Sequence, residues 1–148
     1  MNSLQSTAQA MSIREENDQR VYRWSFLLEQ GRSELHLHQW FIASSYYQQA
    51  MLVAESLFIA SPCRSCALRC YMRTLIEYAY VLCKISGPES LDLLQEVATL
   101  TLSSYAPMPC IDKVLEPLTR LKRNSDIERD LWINQLLAED AIHKHQLH

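Results

Sequence analysis

GRSELHLHQWFIASSYYQQA, residues Gly31 to Ala50, is the stretch on which the fold turns. It holds one of the chain's two glycines, His36 and His38 in an HxH spacing, and the doublet Tyr46-Tyr47. Two readings compete. Glycine is the commonest residue at the left-handed position that closes a helix, so one helix could end at Gly31 and another start at Ser33. Alternatively Gly31 lies inside a helix, where it costs about 1 kcal/mol relative to alanine and is offset by close packing. The preceding residues favour the second reading. Val21, Trp24, Leu28, Gly31 and Leu35 recur at spacings of three and four, the stripe of a single helix. The turn then falls at His38, a residue type enriched at positive φ.

Upstream, Ser12 and Glu15 have the S-x-x-E spacing of a capping box and start this helix. Residues 1–11 are polar and aperiodic and read as a flexible tail, which leaves 12–148 as a single all-helical domain. Downstream, a second helix covers about Gln39 to Ala60 and stops before Ser61-Pro62, a good Ncap and N1 pair for a third. That third helix runs from about Pro62 to Ile85, with Leu68, Met72, Leu75, Ala79 and Leu82 on its main apolar face. Ser86-Gly87-Pro88 closes it and opens a fourth, through about Ser103. Beyond Pro107 and Pro109 a shorter helix spans about Cys110 to Lys122, kinked or restarted by Pro117. Ser125 and Glu128 form another capping box, for a last helix to about His143. Its apolar positions are Ile127, Leu131, Leu136 and Leu137, with Trp132 alongside. Six helices with short connections predict an all-α fold of antiparallel hairpins, a solenoid or a compact bundle.

Composition agrees and excludes several functions. With only Gly31 and Gly87 available, neither a P-loop nor a dinucleotide-binding turn can be built, because both need backbone to approach phosphate closely. A formal net charge of -3 gives no broad attraction to nucleic acid. The longest uncharged apolar stretch, Ala50 to Ala60, is interrupted by Glu55 and falls short of the roughly 20 residues of a membrane helix. The N-terminus has neither a basic region nor an apolar one of the secretory kind, which predicts a cytoplasmic protein. Five cysteines, an odd number, are read as reduced thiols.

Gly31, Trp40, Ala43, Tyr47 and Ala50 together resemble the tetratricopeptide repeat, in which a small residue sits midway along the first helix and an aromatic opens the second. Alanine, an aromatic and alanine then follow at the helix contact. The segment ASSYYQQAM looks like the second helix of such a repeat, although Glu55 sits where a proline usually closes it. The resemblance implies a right-handed tetratricopeptide-like solenoid whose first helices line a groove for a partner peptide. The corresponding positions are Leu28, Arg32 and His36. On the third helix Arg69 and Arg73 face the same groove, which makes Arg32 and Arg69 the expected polar anchors for a partner carboxylate. A protein or peptide partner is expected, with a homodimer as an alternative, and no enzymatic activity.

Other constellations lead elsewhere. Cys63, Cys66 and Cys70 share one face of the third helix, but three thiolates along one helix do not easily surround a tetrahedral ion. Buried small side chains are the simpler reading, with metal-binding or redox chemistry as the alternative; no cofactor or metal is expected. Residues two apart on a helix point about 200° apart, so neither His36/His38 nor His143/His145 chelates while helical. Arg120, Lys122 and Arg123 make one basic cluster, explained by a helix C-terminus, with a DNA-associated regulator as the competing reading. Arg73 and Glu77 form an i,i+4 pair, and Arg129 reads as a surface arginine.

Overall fold

The structure, a computed structural model, describes the backbone of residues 2–146 and the side chains of residues 14–140. The backbone over residues 2–11, expected as a tail, is instead helical and continuous with α1, so the helix starts ahead of the expected Ser12 cap, whose side chain lies outside the residues described. In chain order the elements are α1 (Asn2–His36), α2 (Trp40–Ala60), α3 (Arg64–Ser86), a 3-10 turn (Pro88–Ser90), α4 (Leu91–Tyr105), α5 (Ile111–Val114), α6 (Glu116–Arg123) and α7 (Asp126–Gln146). Among the described residues there is no strand, and the helices pack as a compact all-α bundle.

Gly31 lies inside α1, and its φ is not positive. A Cβ placed there would sit 3.1 Å from Tyr47 ring carbons, so the missing side chain is what lets α2 close onto α1. The helix ends five residues later, at His36. His38 has φ 58°, the Gln39 N–H donates to Glu34 O at 2.9 Å, and the His38 N–H donates to Leu35 O at 3.0 Å. This pair of bonds is a Schellman motif with histidine at the left-handed position. Gly87, at φ 84° and ψ 171°, occupies backbone space essentially reserved for glycine, so the chain can leave α3 abruptly before Pro88.

Two further boundaries differ from expectation. Cys63, not Ser61, is the Ncap of α3: its Sγ accepts the Cys66 N–H at 3.3 Å, while the Ser61 hydroxyl accepts the Cys63 N–H at 3.2 Å. The short helix expected over Cys110 to Lys122 is two, because Leu115 breaks it and Pro117 falls in the first turn of α6. The second capping box is present, with Ser125 N–H to Glu128 at 3.2 Å and Glu128 N–H to Ser125 Oγ at 3.3 Å. Those bonds hold the Glu128 carboxyl below its usual range.

α3 is the central helix and separates two apolar clusters. On one side Leu57, Tyr71, Leu75, Leu102, Leu118 and Leu121 join α2, α3, α4 and α6. On the other, Leu28, Leu35, Tyr47, Val81, Ile133 and Leu137 join α1, α2, α3 and α7. The second cluster shows that α7 runs back across α1 and α3. Its buried face is only partly the expected one: Leu137 is buried and Leu136 and Trp132 half-buried, but Ile127 is 73% and Leu131 67% exposed, and Ile133 is buried instead. Arg129 is likewise interior, at 5% exposure, not a surface residue. Its Nε donates to Leu121 O at 2.6 Å and its Nη2 to Lys122 O at 3.3 Å, satisfying carbonyls that α6 leaves unpaired at its end. That tie sets the angle at which α7 returns.

Candidate functional site: the groove between α1 and α3

α1 and α3 run parallel: Trp24 Nε1 donates to Thr74 Oγ1 at 2.7 Å near one end, and Arg32 reaches Glu77 further along both helices. Between them lies the groove that the first and third helices were expected to form, and α7 fills it, antiparallel to both. The spacing of Asp130, Ile133, Leu137 and Asp140 puts these four on one face of α7. Ile133 and Leu137 enter the cluster with Leu28, Leu35 and Val81, and the two aspartates make polar contacts at either end.

At one end the polar contacts centre on Glu77, which is fully buried. Arg32 Nε and Nη2 each donate to it at 2.8 Å, a bidentate pair, and Arg73 Nε donates at 3.0 Å. The Tyr47 hydroxyl adds a fourth bond at 2.9 Å. Asp140 then closes the group from α7, accepting from Arg32 Nη1 at 2.7 Å and pairing with Arg73 Nη2 at 3.2 Å. Arg73 Nη2 also donates to Leu136 O at 3.3 Å. Glu29, one turn back on α1 and half-exposed, also accepts from Arg32 Nη1 at 3.1 Å, so two guanidinium groups face three carboxylates, of which only Glu77 is fully buried. Burial alone would drive the Arg32 guanidinium toward neutrality, but the bonds to Glu77 and Asp140 outweigh it and hold the group charged. Burial and the neighbouring Glu77 charge push the Tyr47 hydroxyl well up, so it serves only as a donor.

At the other end α7 borders a cavity of about 270 Å³ lined by His36, His38, Trp40, Tyr80, Lys84 and Asp130, among others. Asp130 accepts from the Tyr80 hydroxyl at 2.6 Å and from Lys84 Nζ at 2.8 Å. The Lys84 ammonium also lies 5.7 Å from the Trp40 ring centre and 5.6 Å from that of Tyr80, within range of cation–π attraction. His38 stacks on Trp40. Burial would raise the Asp130 carboxyl, but the Lys84 and Tyr80 hydrogen bonds and the Lys84 charge more than offset it and hold it below its usual value.

The expected site residues separate accordingly. Leu28 is in the apolar cluster, and Arg32 and Arg73 are engaged by Glu77 and Asp140, so none of them is presented to an open groove. Arg32 as an open anchor is corrected for a plain reason: a guanidinium with Glu77 on one edge and Asp140 on the other is already bidentately bound. His36 is exposed at the cavity rim, and Arg69 is exposed one turn from Arg73 on α3. The pairing of Arg73 with Glu77 is present as expected. Sequence reasoning missed Tyr80, Lys84, Asp130 and Asp140, whose joint role depends on where α7 lies.

The cysteines also depart from expectation. Cys63 and Cys66 are joined in a disulfide, while Cys70, Cys83 and Cys110 are free. Only Cys83 is buried; Cys66 and Cys110 are exposed. Among the described residues no group of three His, Cys, Asp or Glu side chains is placed to hold a metal ion. In the basic cluster Lys122 pairs with Asp92, and Arg120 with Glu116 at 3.6 Å. No helix among the described residues is long and apolar enough to cross a membrane. Comparison with known proteins gives no match to a family model, a curated protein or a solved structure.

Proposed function

We propose that the chain is a non-enzymatic interaction module, adaptor or chaperone-like, working in the cytoplasm and binding a helix of a partner protein in the α1/α3 groove. In the resting chain α7 occupies that groove. The observation that carries this reading is Asp140, a carboxylate on a surface-crossing helix received by Arg32 at 2.7 Å and Arg73 at 3.2 Å. A helix therefore fits this groove when it offers two aspartates ten residues apart, as Asp130 and Asp140 are, with two aliphatic side chains between them. The tetratricopeptide likeness of Gly31 to Ala50 points the same way, since its first helices line the binding face. Buried Arg32, as part of that face, then reads a partner carboxylate only after Asp140 has left.

Competition with α7 governs the affinity. A ligand that needs the groove empty binds more weakly by the fraction of time that α7 is displaced. The test uses a labelled peptide with the sequence of residues 126–146, titrated into the full chain and into its Asp140→Ala variant. Removing Asp140 weakens α7 in place and opens the Arg32 Nη1 and Arg73 Nη2 positions it held, while Glu77 keeps both side chains in place, so binding should tighten about tenfold or more, equivalent to one charge-assisted contact. The same substitution in the peptide should remove that gain. No binding to either chain, or equal binding to both, overturns the reading.

A further inference from the structure

We infer that Cys63 and Cys66 are a thiol–disulfide exchange pair that accepts two electrons from a dithiol. The two stand in a C-R-S-C spacing at the start of α3, already joined, with their Cα atoms 5.3 Å apart. That separation suits a disulfide without movement of the backbone. They differ in a way that gives the exchange a direction. Cys66 is exposed and open to an incoming thiolate, whereas Cys63 is half-buried and hydrogen-bonded. The Cys63 sulfur accepts the Cys66 N–H at 3.3 Å, and the Ser65 hydroxyl lies 3.4 Å from it. α3 has no acidic residue in its first turn, and Arg64 stands between the cysteines, so the local charge favours a thiolate at Cys63.

A thiolate of the dithiol attacks Cys66 Sγ, the Cys63–Cys66 bond breaks, and its electron pair leaves on Cys63 Sγ, stabilised by the bonds just named. The second thiolate of the dithiol then attacks its own sulfur in the mixed disulfide and releases Cys66 as a thiolate. The dithiol leaves as a disulfide, and the protein holds two thiols after taking up two protons. Reoxidation by a disulfide reverses each step. The Cys63 sulfur can accept the Cys66 N–H as thiol, thiolate or disulfide, so the exchange leaves the helix start in place. Cys70, one turn beyond Cys66, is half-buried, and burial pushes its thiol up, which keeps it protonated and out of the exchange.

The full chain is equilibrated in mixtures of reduced and oxidised dithiothreitol, alkylated and mapped by mass spectrometry, with exposed Cys110 as internal reference. Cys63 and Cys66 should change together in one two-electron transition, while Cys70, Cys83 and Cys110 stay as thiols under all mixtures. In Cys66→Ser and in Cys66→Ala, Cys63 should react with a small aromatic disulfide about tenfold faster than Cys110 at neutral pH, reflecting its larger thiolate fraction. Helical circular dichroism should be the same in both redox states. Pairing of any other two cysteines, or a Cys63 no faster than Cys110 in both variants, overturns the inference.

Discussion

Glu77→Ala is expected to lower the stability of the fold by about 3–5 kcal/mol, the range for removing one partner of a buried ion pair. The carboxylate has no exposure and accepts four bonds, from Arg32 twice, Arg73 and Tyr47. Its loss strands the Arg32 guanidinium in the interior with Asp140 as its main compensation and leaves the Tyr47 hydroxyl without its acceptor. Arg73→Ala should cost distinctly less, since that side chain is partly solvated and its loss leaves Arg32 on Glu77. Urea denaturation checks both: the midpoint should fall while the slope stays constant. The double variant Arg32→Met with Glu77→Leu should recover part of the loss, because removing both charges avoids an unpaired one.

Gly31→Leu is the second large effect, expected to cost about 3 kcal/mol or more through overpacking. The position is helical and not left-handed, so backbone strain plays no part. What opposes a side chain is the Tyr47 ring, already 3.1 Å from where a Cβ would be. Tyr47 cannot retreat freely, because its hydroxyl is bonded to Glu77. Gly31→Ala is the informative control. The helix gains about 1 kcal/mol of propensity, which opposes the tight contact, so thermal unfolding should change little. A left-handed Gly31 at a helix end would instead remove this difference, with leucine and alanine both harmful through strain and neither through Tyr47.

The local punctuation was legible in the sequence for physical reasons. His38, Gly87 with Pro88, and Ser125 with Glu128 each act through backbone groups within a few residues, so their effect does not depend on the rest of the fold. Gly31 was legible because its register with Ala43 and Tyr47 reports one helix pair. The path of α7 was not. Its apolar residues Ile127, Leu131, Trp132, Ile133, Leu136 and Leu137 cover more than one helix face, and only the packing partner decides which is buried. Arg129 makes that decision by capping α6, a contact that charge patterning presents as an ordinary surface arginine. The same holds for Arg32: its partners Glu77 and Asp140 are 45 and 108 residues away in sequence. Cys63 and Cys66 were read with Cys70 as one helical face, whereas Cys63 lies just outside the helix, where the chain turns its sulfur back toward Cys66.

On the proposed function, α7 holds the α1/α3 groove until a partner helix takes its place. Amide hydrogen exchange on the full chain, with and without the peptide of residues 126–146, tests this most directly. Unlabelled chain segments are followed one by one, so α7 of the protein is distinguished from an isotopically labelled peptide. Saturating peptide should strip protection from α7 over Asp126 to Asp140, while α2 and α3 keep theirs. Peptide bound at saturation with α7 as protected as before would contradict it.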